Sequence, residues 1–210
     1  MNILFSDFDD TLAPELLFDV LFIFDFSKSN SIDSFDKAIY DFIQIKKKSR
    51  KNVFDEFIKK GNFKGFNVKE IVKHYQTYNF NNFDPLRIEI LKKFSFFQCI
   101  SDRSIDFDEF WIITDGNYGR QKNKIAAFNY FYRNSGNIIL DPNIAPNIIK
   151  KNFFLSEHKY FKNKKISGLM IGNSIDADKK FADNNNLDFQ LVHNNDVDIE
   201  ELLVAIKNIT

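Results

Sequence analysis

Two aspartates one residue apart follow an apolar run near the start of the chain, in the sequence Ile3-Leu4-Phe5-Ser6-Asp7-Phe8-Asp9-Asp10-Thr11-Leu12. Alternate side chains of an extended chain share a face, so Asp7 and Asp9 can both reach one reaction centre. Carboxylates at one centre can act as a nucleophile, as a general acid and as ligands of a hard cation. The pair therefore indicates a reactive site at a strand end.

Polar residues also follow two later apolar runs. Thr114, Asp115 and Gly116 come directly after the first run, and the segment Gly172-Asn173-Ser174-Ile175-Asp176-Ala177-Asp178 comes after the second. Ligand sites of open α/β sheets lie at the carboxyl ends of the strands. Three such strand ends in order predict one composite site.

Phosphate monoester hydrolysis requires the kinds of group found at these strand ends. A carboxylate nucleophile splits the difficult step in two, and a second acid protonates the leaving oxygen and then activates water. A divalent cation and hydrogen-bond donors hold the phosphoryl oxygens as their charge changes.

The sequence DFDDTL resembles the first signature of the haloacid-dehalogenase-like (HAD-like) phosphatases. The resemblance implies that Asp7 is the nucleophile and that Asp9 is the general acid and base. Thr114 matches the second signature, whose hydroxyl holds a phosphoryl oxygen, and Asp115 is a further candidate for phosphate binding. Gln121 and Lys124 resemble the helix that follows that signature.

The resemblance also implies a Mg²⁺ cofactor. The segment from Gly172 to Asp178 matches the fourth signature, and the expected ligands are the Asp7 carboxylate, the Asp9 backbone carbonyl, Asn173 and Asp178. The fourth signature usually has an acid where this chain has Asn173. Asparagine still offers a hard oxygen ligand, but it removes one negative charge and so predicts weaker metal binding.

The phosphate-binding lysine of the third signature has two candidates. Lys150 and Lys151 both lie at a suitable distance before Gly172, neither precedes a proline, and Lys150 is the preferred one. The basic run Lys46–Lys51 has two readings, a solvated helix face or a surface that attracts a phosphorylated substrate. Asp106-Phe107-Asp108 repeats the spacing of the first pair, but it lacks a preceding apolar run and is interpreted as a loop.

Apolar runs and helical spacing predict the elements that position these residues. We expect strands at Asn2–Ser6, Phe110–Ile113, Asn137–Leu140, Ile166–Ile171 and Asp188–Val192. We expect helices through most of residues 15–83, with a break at Gly61–Gly65, and at Pro85–Phe97, Tyr118–Asn134, Asp176–Asn185 and Ile199–Ile209. Alternating strands and helices predict an α/β fold with a parallel sheet.

The predicted architecture is a three-layer, Rossmann-like parallel-sheet core with an inserted α-helical cap. Residues 1–13 and 84–210 form the core in this prediction, and residues 14–83 form the cap. The chain has 210 residues, with 29 basic and 29 acidic side chains. This balance argues against nucleic acid or an anionic membrane as a partner. A single cysteine and no signal-like or membrane-spanning segment predict a cytoplasmic protein.

The function predicted from these features is a magnesium-dependent phosphatase acting on a small phosphorylated metabolite. Two alternatives stay open from the sequence. One is a phosphomutase or phosphotransferase with the same core, and the other is a binding module of the same fold with weakened catalysis. Neither the substrate nor the oligomeric state is predicted.

Overall fold

One parallel sheet forms the centre of the protein. The computed structural model describes residues 1–30, 35–48, 52–61, 63–79, 89–90, 93, 106–134, 142–146, 150–192 and 197–208. The strands are β1 (Asn2–Ser6), β2 (Glu109–Thr114), β3 (Pro142–Pro146), β4 (Ser167–Gly172) and β5 (Asp188–Leu191). They run in the order β3-β2-β1-β4-β5, and every pairing is parallel.

The central position of β1 determines where the site lies. Ser6, the last residue of β1, pairs with Ile112 of β2 and with Ile171 of β4. The residues that follow these three strands therefore meet at one edge of the sheet, as expected for parallel strands.

Helices alternate with the strands along the chain. Between β1 and β2, the structure describes four helices over residues 15–77, which are called the helical insert here: α1 (Glu15–Ser29), α2 (Phe35–Lys48), α3 (Val53–Lys59) and α4 (Val68–Thr77). Helix α5 (Tyr118–Asn134) follows β2. A π-helical turn at Ile175–Lys179 leads into α6 (Lys180–Asn184), and α7 (Ile199–Lys207) follows β5. Single 3₁₀ turns occur at Lys150–Asn152 and Leu155–Glu157.

Local sequence explains the ends of the helices in the insert. Pro14 occupies the position before α1, where its missing N–H costs no helical hydrogen bond. Asn67 begins α4 with a capping box, because its side chain accepts from the Glu70 N–H while Glu70 accepts from the Asn67 N–H. Helix α1 is buried along most of its length, packs on α2 and forms the centre of the insert.

Apolar side chains cover both faces of the sheet. Leu4 contributes to a core with the insert and α5, whereas Ile3 and Phe5 contribute to a second core that includes Phe161 and Phe181. Successive side chains of a strand point to opposite faces, so β1 serves both cores. The fold is therefore a three-layer α/β arrangement, as predicted.

Most of the predicted elements agree with the structure. Strands β1, β2, β4 and β5 and helices α4, α5 and α7 lie where the sequence predicted them, within a few residues. The helix at Pro85–Phe97 falls almost entirely outside the described residues, and the division into core and cap domains stays a prediction. No helix among the described residues is long and apolar enough to cross a bilayer.

The third predicted strand, Asn137–Leu140, lies outside the described residues. Asp141-Pro142 was expected to end that strand, and this expectation is wrong at Pro142, which belongs to a strand. The strand that pairs with β2 begins at Pro142 and ends at Pro146. Among the described strands it lies at the edge of the sheet, where proline is tolerated because one side of the strand needs no hydrogen-bond partner.

Candidate active site

Asp7 lies directly after β1 and is almost completely buried, with 5 % of its surface exposed. Its backbone N–H donates to the Ile171 carbonyl at 3.0 Å, which continues the pairing of β1 with β4. Lys150 Nζ donates to Asp7 Oδ1 at 2.7 Å, and Thr11 Oγ1 lies 3.5 Å from Asp7 Oδ2. The sheet therefore fixes the backbone of Asp7, and Lys150 orients its carboxylate.

Lys150 also binds a second carboxylate. Its Nζ lies 2.6 Å from Oδ1 of Asp178, whose side chain is fully buried. The other oxygen of Asp178 accepts a hydrogen bond from the Ser174 backbone N–H at 3.0 Å. One ammonium group thus joins the residue after β1 to the turn after β4.

Gly172 makes room for this arrangement at the end of β4. A Cβ atom at position 172 would overlap with the side-chain atoms of Asp178, including Oδ2. The close approach of Asp178 to the strand end therefore requires a residue without a side chain.

Burial raises the pKa of Asp7 from its usual value of 3.8 to about 7. Lys150 opposes this shift, while the nearby charge of Asp178 adds to it. Burial alone would lower the pKa of Lys150, but the two carboxylates raise it above its usual value. Lys150 is therefore a cation that is shared by two buried carboxylates, Asp7 and Asp178.

Asp9 has a separate set of partners. Gln121 Nε2 donates to Asp9 Oδ2 at 2.7 Å, and Lys124 Nζ donates to Asp9 Oδ1. The Asn173 side-chain amide lies 3.4 Å from the Asp9 backbone carbonyl. Both side-chain donors come from the first two turns of α5, so helix α5 orients the second carboxylate.

Lys124 is completely buried beneath Asp9. Its Nζ lies 5.6 and 5.5 Å from the ring centroids of Phe8 and Phe18. Burial lowers the pKa of Lys124, although the neighbouring Asp9 carboxylate partly offsets that effect.

The last residue of β2, Thr114, and the first residue of the turn after it, Asp115, lie at the same edge of the sheet. Thr114 is buried, and its hydroxyl lies 3.4 Å from the Asp115 carbonyl. Gln121 Nε2 also donates to that carbonyl at 2.7 Å, which ties the turn to α5. Burial of its carboxyl raises the pKa of Asp115, whereas Lys150 lowers it. Gly116 has a φ of +105°, a conformation that favours glycine.

These residues surround one pocket of about 610 Å³, called the active-site pocket here. Of the residues predicted from the sequence, the following line it: Asp7, Asp9, Thr114, Asp115, Lys150 and Asn173. Asp178 is buried behind Lys150. Lys151 is exposed, does not line the pocket, and contributes only a weaker attraction to the Asp115 carboxyl. Of the two candidate lysines, Lys150 therefore lines the pocket and Lys151 does not, and binding of phosphate by Lys150 stays a prediction.

The donor atoms suit a hard divalent cation. Among the described residues, no three or more His, Cys, Asp or Glu side chains form a metal-binding group. Asp7 and Asp178 nevertheless both contact one cation, the Lys150 ammonium, and the Asp9 carbonyl and the Asn173 amide lie at the same edge. Two carboxylates with neutral oxygens fit Mg²⁺, which commonly binds one or two carboxylates and keeps several waters.

Sequence reasoning missed two residues of the pocket, Glu15 and Arg120. It also did not predict that Gln121 and Lys124 contact Asp9. The available signal was the cluster of polar residues at positions 120, 121 and 124, in the first turns of the helix that follows β2. Those turns necessarily start beside the strand end.

Comparisons with known proteins found no matching family model and no matching curated protein. Among solved structures, the chain is similar to the HAD-hydrolase YfnB from Bacillus subtilis, a structure bound to magnesium. The identity is 16%, 98% of each chain is covered, and the TM-score is 0.49. A HAD phosphatase from Thermococcus onnurineus gives 18% identity over 94% of this chain and 90% of that chain, with a TM-score of 0.38. The parallel strand order β3-β2-β1-β4-β5 of this chain itself defines its α/β fold.

Proposed function

We propose that this chain is a HAD-like phosphatase that hydrolyses a small phosphorylated metabolite with the help of Mg²⁺. The observation that carries the proposal is the pair of carboxylates Asp7 and Asp9, which line one pocket but have different partners. Asp7 is bound by Lys150, and Asp9 by Gln121 and Lys124. Two acids in separate environments can perform two different tasks.

Asp7 is the nucleophile in this proposal. Its carboxylate oxygen attacks phosphorus, the bond between phosphorus and the leaving oxygen breaks, and an aspartyl-phosphate forms. The rigid attachment of Asp7 to β4 supports this role, because it holds the attacking oxygen at a fixed position in the pocket.

Asp9 performs the proton transfers in this proposal. Its carboxyl group protonates the leaving alcohol in the first step, and its carboxylate then takes a proton from water in the second. That water attacks phosphorus, inorganic phosphate leaves, and Asp7 is regenerated. Gln121 and Lys124 support this role because they orient the carboxylate from one side.

Thr114 and Lys150 hold the phosphoryl group in the proposed reaction. The Thr114 hydroxyl and the Lys150 ammonium line the same pocket as Asp7 and can donate to phosphoryl oxygens. Asp115, beside Thr114, contributes its backbone to the same turn.

Asp7, the Asp9 carbonyl, Asn173 and Asp178 would hold Mg²⁺. The ion, when bound, neutralises charge on the phosphoryl oxygens. Asn173 supplies a neutral amide where the resembling signature has an acid, so we propose a comparatively weak metal site.

Release of inorganic phosphate from a panel of phosphorylated metabolites tests the proposal. We expect release with Mg²⁺ and its loss in excess EDTA. With 4-nitrophenyl phosphate, whose leaving group needs no proton, Asp7 still attacks in Asp9→Asn, and a hydroxylamine-sensitive phosphoryl-enzyme accumulates because no base activates water. Phosphate release that is unaffected by EDTA and gives no trapped intermediate would contradict the proposal.

The same assay separates the two alternatives. A phosphotransferase would release little inorganic phosphate in water and would transfer the group when an acceptor alcohol is added. A binding module would bind phosphate esters without turnover. A cytoplasmic location is proposed from the single cysteine, and cell fractionation tests it.

A further inference from the structure

A second pocket lies beside the active-site pocket, within the helical insert. Its volume is about 430 Å³, and it is called the insert pocket here. Its apolar and aromatic walls come from α2, α3 and α4, and the residues that form them are Phe42, Val53, Phe54, Val68, Val72 and Tyr75. A volume of this size is typical of small-molecule sites.

Glu15 and Arg120 line both pockets. Arg120 Nη2 lies 3.3 Å from Glu15 Oε1, and the Arg120 guanidinium stacks on the Tyr75 ring at 4.1 Å from its centroid. This ion pair therefore forms the boundary between the phosphate-binding end and the apolar pocket. A substrate with its phosphate at Asp7 has the insert pocket as the adjoining space for the rest of the molecule.

The cations of the insert pocket are already paired. Arg120 also binds Asp19 at 2.7 Å, and Lys46 binds both Asp19 and Glu15, the latter at 3.0 Å. Two cations thus face two carboxylates, so the pocket offers no excess of positive charge to a second anionic group. The start of the basic run at Lys46 is likewise part of a buried ion cluster rather than an open anion-attracting surface.

We propose that the insert pocket binds an uncharged, apolar group of about the size of one ring, carried on the alcohol part of the phosphate monoester. This inference rests on the proposed function and assigns a substrate class to the same site. Burial of an apolar group against apolar walls lowers the free energy of binding. The balanced charges of the boundary disfavour a second phosphate or carboxylate, because desolvating such a group needs an unpaired cation.

Three esters of similar alcohols test this inference: methyl phosphate, benzyl phosphate and 4-carboxybenzyl phosphate. We expect kcat/KM for benzyl phosphate to exceed that for methyl phosphate by about tenfold or more. The carboxybenzyl ester should lose most of that advantage. Equal values for the benzyl and methyl esters, or a preference for the carboxylate, would overturn the inference.

A substitution that fills the pocket gives a sharper test. Val72→Trp on α4 should lower the benzyl-to-methyl ratio of kcat/KM to within about threefold, because the indole occupies the space that the benzyl group needs. Val204→Trp on α7 is the matched control, since Val204 is 60% exposed and lines neither pocket. Val68→Phe repeats the test if Val72→Trp unfolds. A Val72→Trp enzyme with an unchanged ratio would overturn the inference.

Calorimetric binding of benzylphosphonate and methylphosphonate separates this inference from the proposed function. Tighter binding of benzylphosphonate that is lost in Val72→Trp and kept in Val204→Trp would support the pocket even if neither ester were hydrolysed. In that case the proposed function would be refuted and the inference about the insert pocket would stand. Hydrolysis without any preference for the benzyl group would leave the proposed function standing and refute the insert pocket, and absence of both binding and turnover would refute both.

Discussion

The active-site pocket and the helical insert both bury carboxylates beside cations, but they differ in charge balance. Around the active-site pocket, the buried ion pairs join three carboxylates, Asp7, Asp9 and Asp178, to two ammonium groups, Lys150 and Lys124. The acids therefore exceed the cations, and the pKa of Asp7 is raised to about 7.

The insert cluster, which consists of Glu15, Asp19, Lys46 and Arg120, contains two acids and two cations. Asp19 accepts from Lys46, Arg120 and the Tyr75 hydroxyl, and Glu15 accepts from the same two cations. Burial acts to raise the pKa of Glu15, but the neighbouring cations outweigh it and lower that pKa to about 2. The same types of side chain thus give an acid whose pKa is raised in one region and an acid whose pKa is lowered in the other.

The difference separates two uses of buried charge. A carboxylate surplus is costly, and it suits a place where a metal cation arrives during function. A balanced cluster joins elements, and here it connects α1, α2 and α4 of the insert to α5. The following predictions test this distinction, beginning with the largest effect.

Asp7→Asn should abolish activity and leave the fold intact. Removal of a nucleophile lowers kcat by on the order of 10⁴-fold or more, and phosphate release with Mg²⁺ measures the loss. Asp106→Asn is the matched control, because Asp106 has the same spacing to a second aspartate but is exposed and outside the pocket. Retention of activity in Asp7→Asn would refute the catalytic assignment.

Asp19→Ala should act on stability rather than on chemistry. It leaves Lys46 and Arg120 without their shared buried partner, so we expect a loss of about 3–5 kcal/mol in the free energy of unfolding. Urea unfolding measures it. Asp183→Ala, which breaks an exposed pair with Lys179, should change that free energy by less than about 1 kcal/mol. Similar losses for both variants would contradict the distinction.

The two regions should respond to pH with opposite signs in EDTA. The pKa of Asp7 is about 7 in the folded state and 3.8 when the residue is free of its folded surroundings. The free energy of unfolding therefore falls as pH rises between these two values. Asp7→Asn should therefore gain stability relative to the wild type as pH rises from 4 to 7, by on the order of a few kcal/mol.

The stability of Glu15→Gln relative to the wild type should change with pH in the opposite direction. The folded pKa of Glu15, about 2, lies below its usual 4.5, so its ionised form stabilises the fold above pH 4.5. That contribution is lost as pH falls towards 2. The variant should thus be less stable than the wild type at pH 5 and approach it near pH 2, as urea unfolding at each pH would measure. Parallel pH profiles for the two variants would contradict this expectation.

Asn173→Asp should give the smallest effect. The added carboxylate strengthens the attraction for Mg²⁺, and because residue 173 is exposed, solvent screens much of the gain. We expect the Mg²⁺ concentration at half-maximal activity to fall by about tenfold or less. Ser174→Asp, one residue further along, is the control, and an equal effect there would indicate general charge attraction instead.

The sheet and the residues at its edge were predictable because local signals encode them. Asp7, Thr114 and Gly172 each follow an apolar run, and parallel pairing then brings them together without further information. The position of β3 was not predictable in this way, because its prolines signal a strand end unless the strand is known to lie at the edge of the sheet.

The insert cluster depends on contacts between distant positions. Asp19 and Arg120 are separated by 101 residues, and neither lies in a motif. Periodicity predicted a buried face for α1, but it did not indicate that an aspartate on that helix would meet cations from α2 and α5. Such pairing follows from tertiary packing, which no local window of sequence contains.

Gly172 constrains the site although it has no side chain that could react, bind a ligand or carry charge. Even a single methyl group at this position would displace Asp178, and Lys150 would then lose one of its two anchors. Among variants recovered from random mutagenesis, position 172 should therefore be as intolerant as the reactive aspartates.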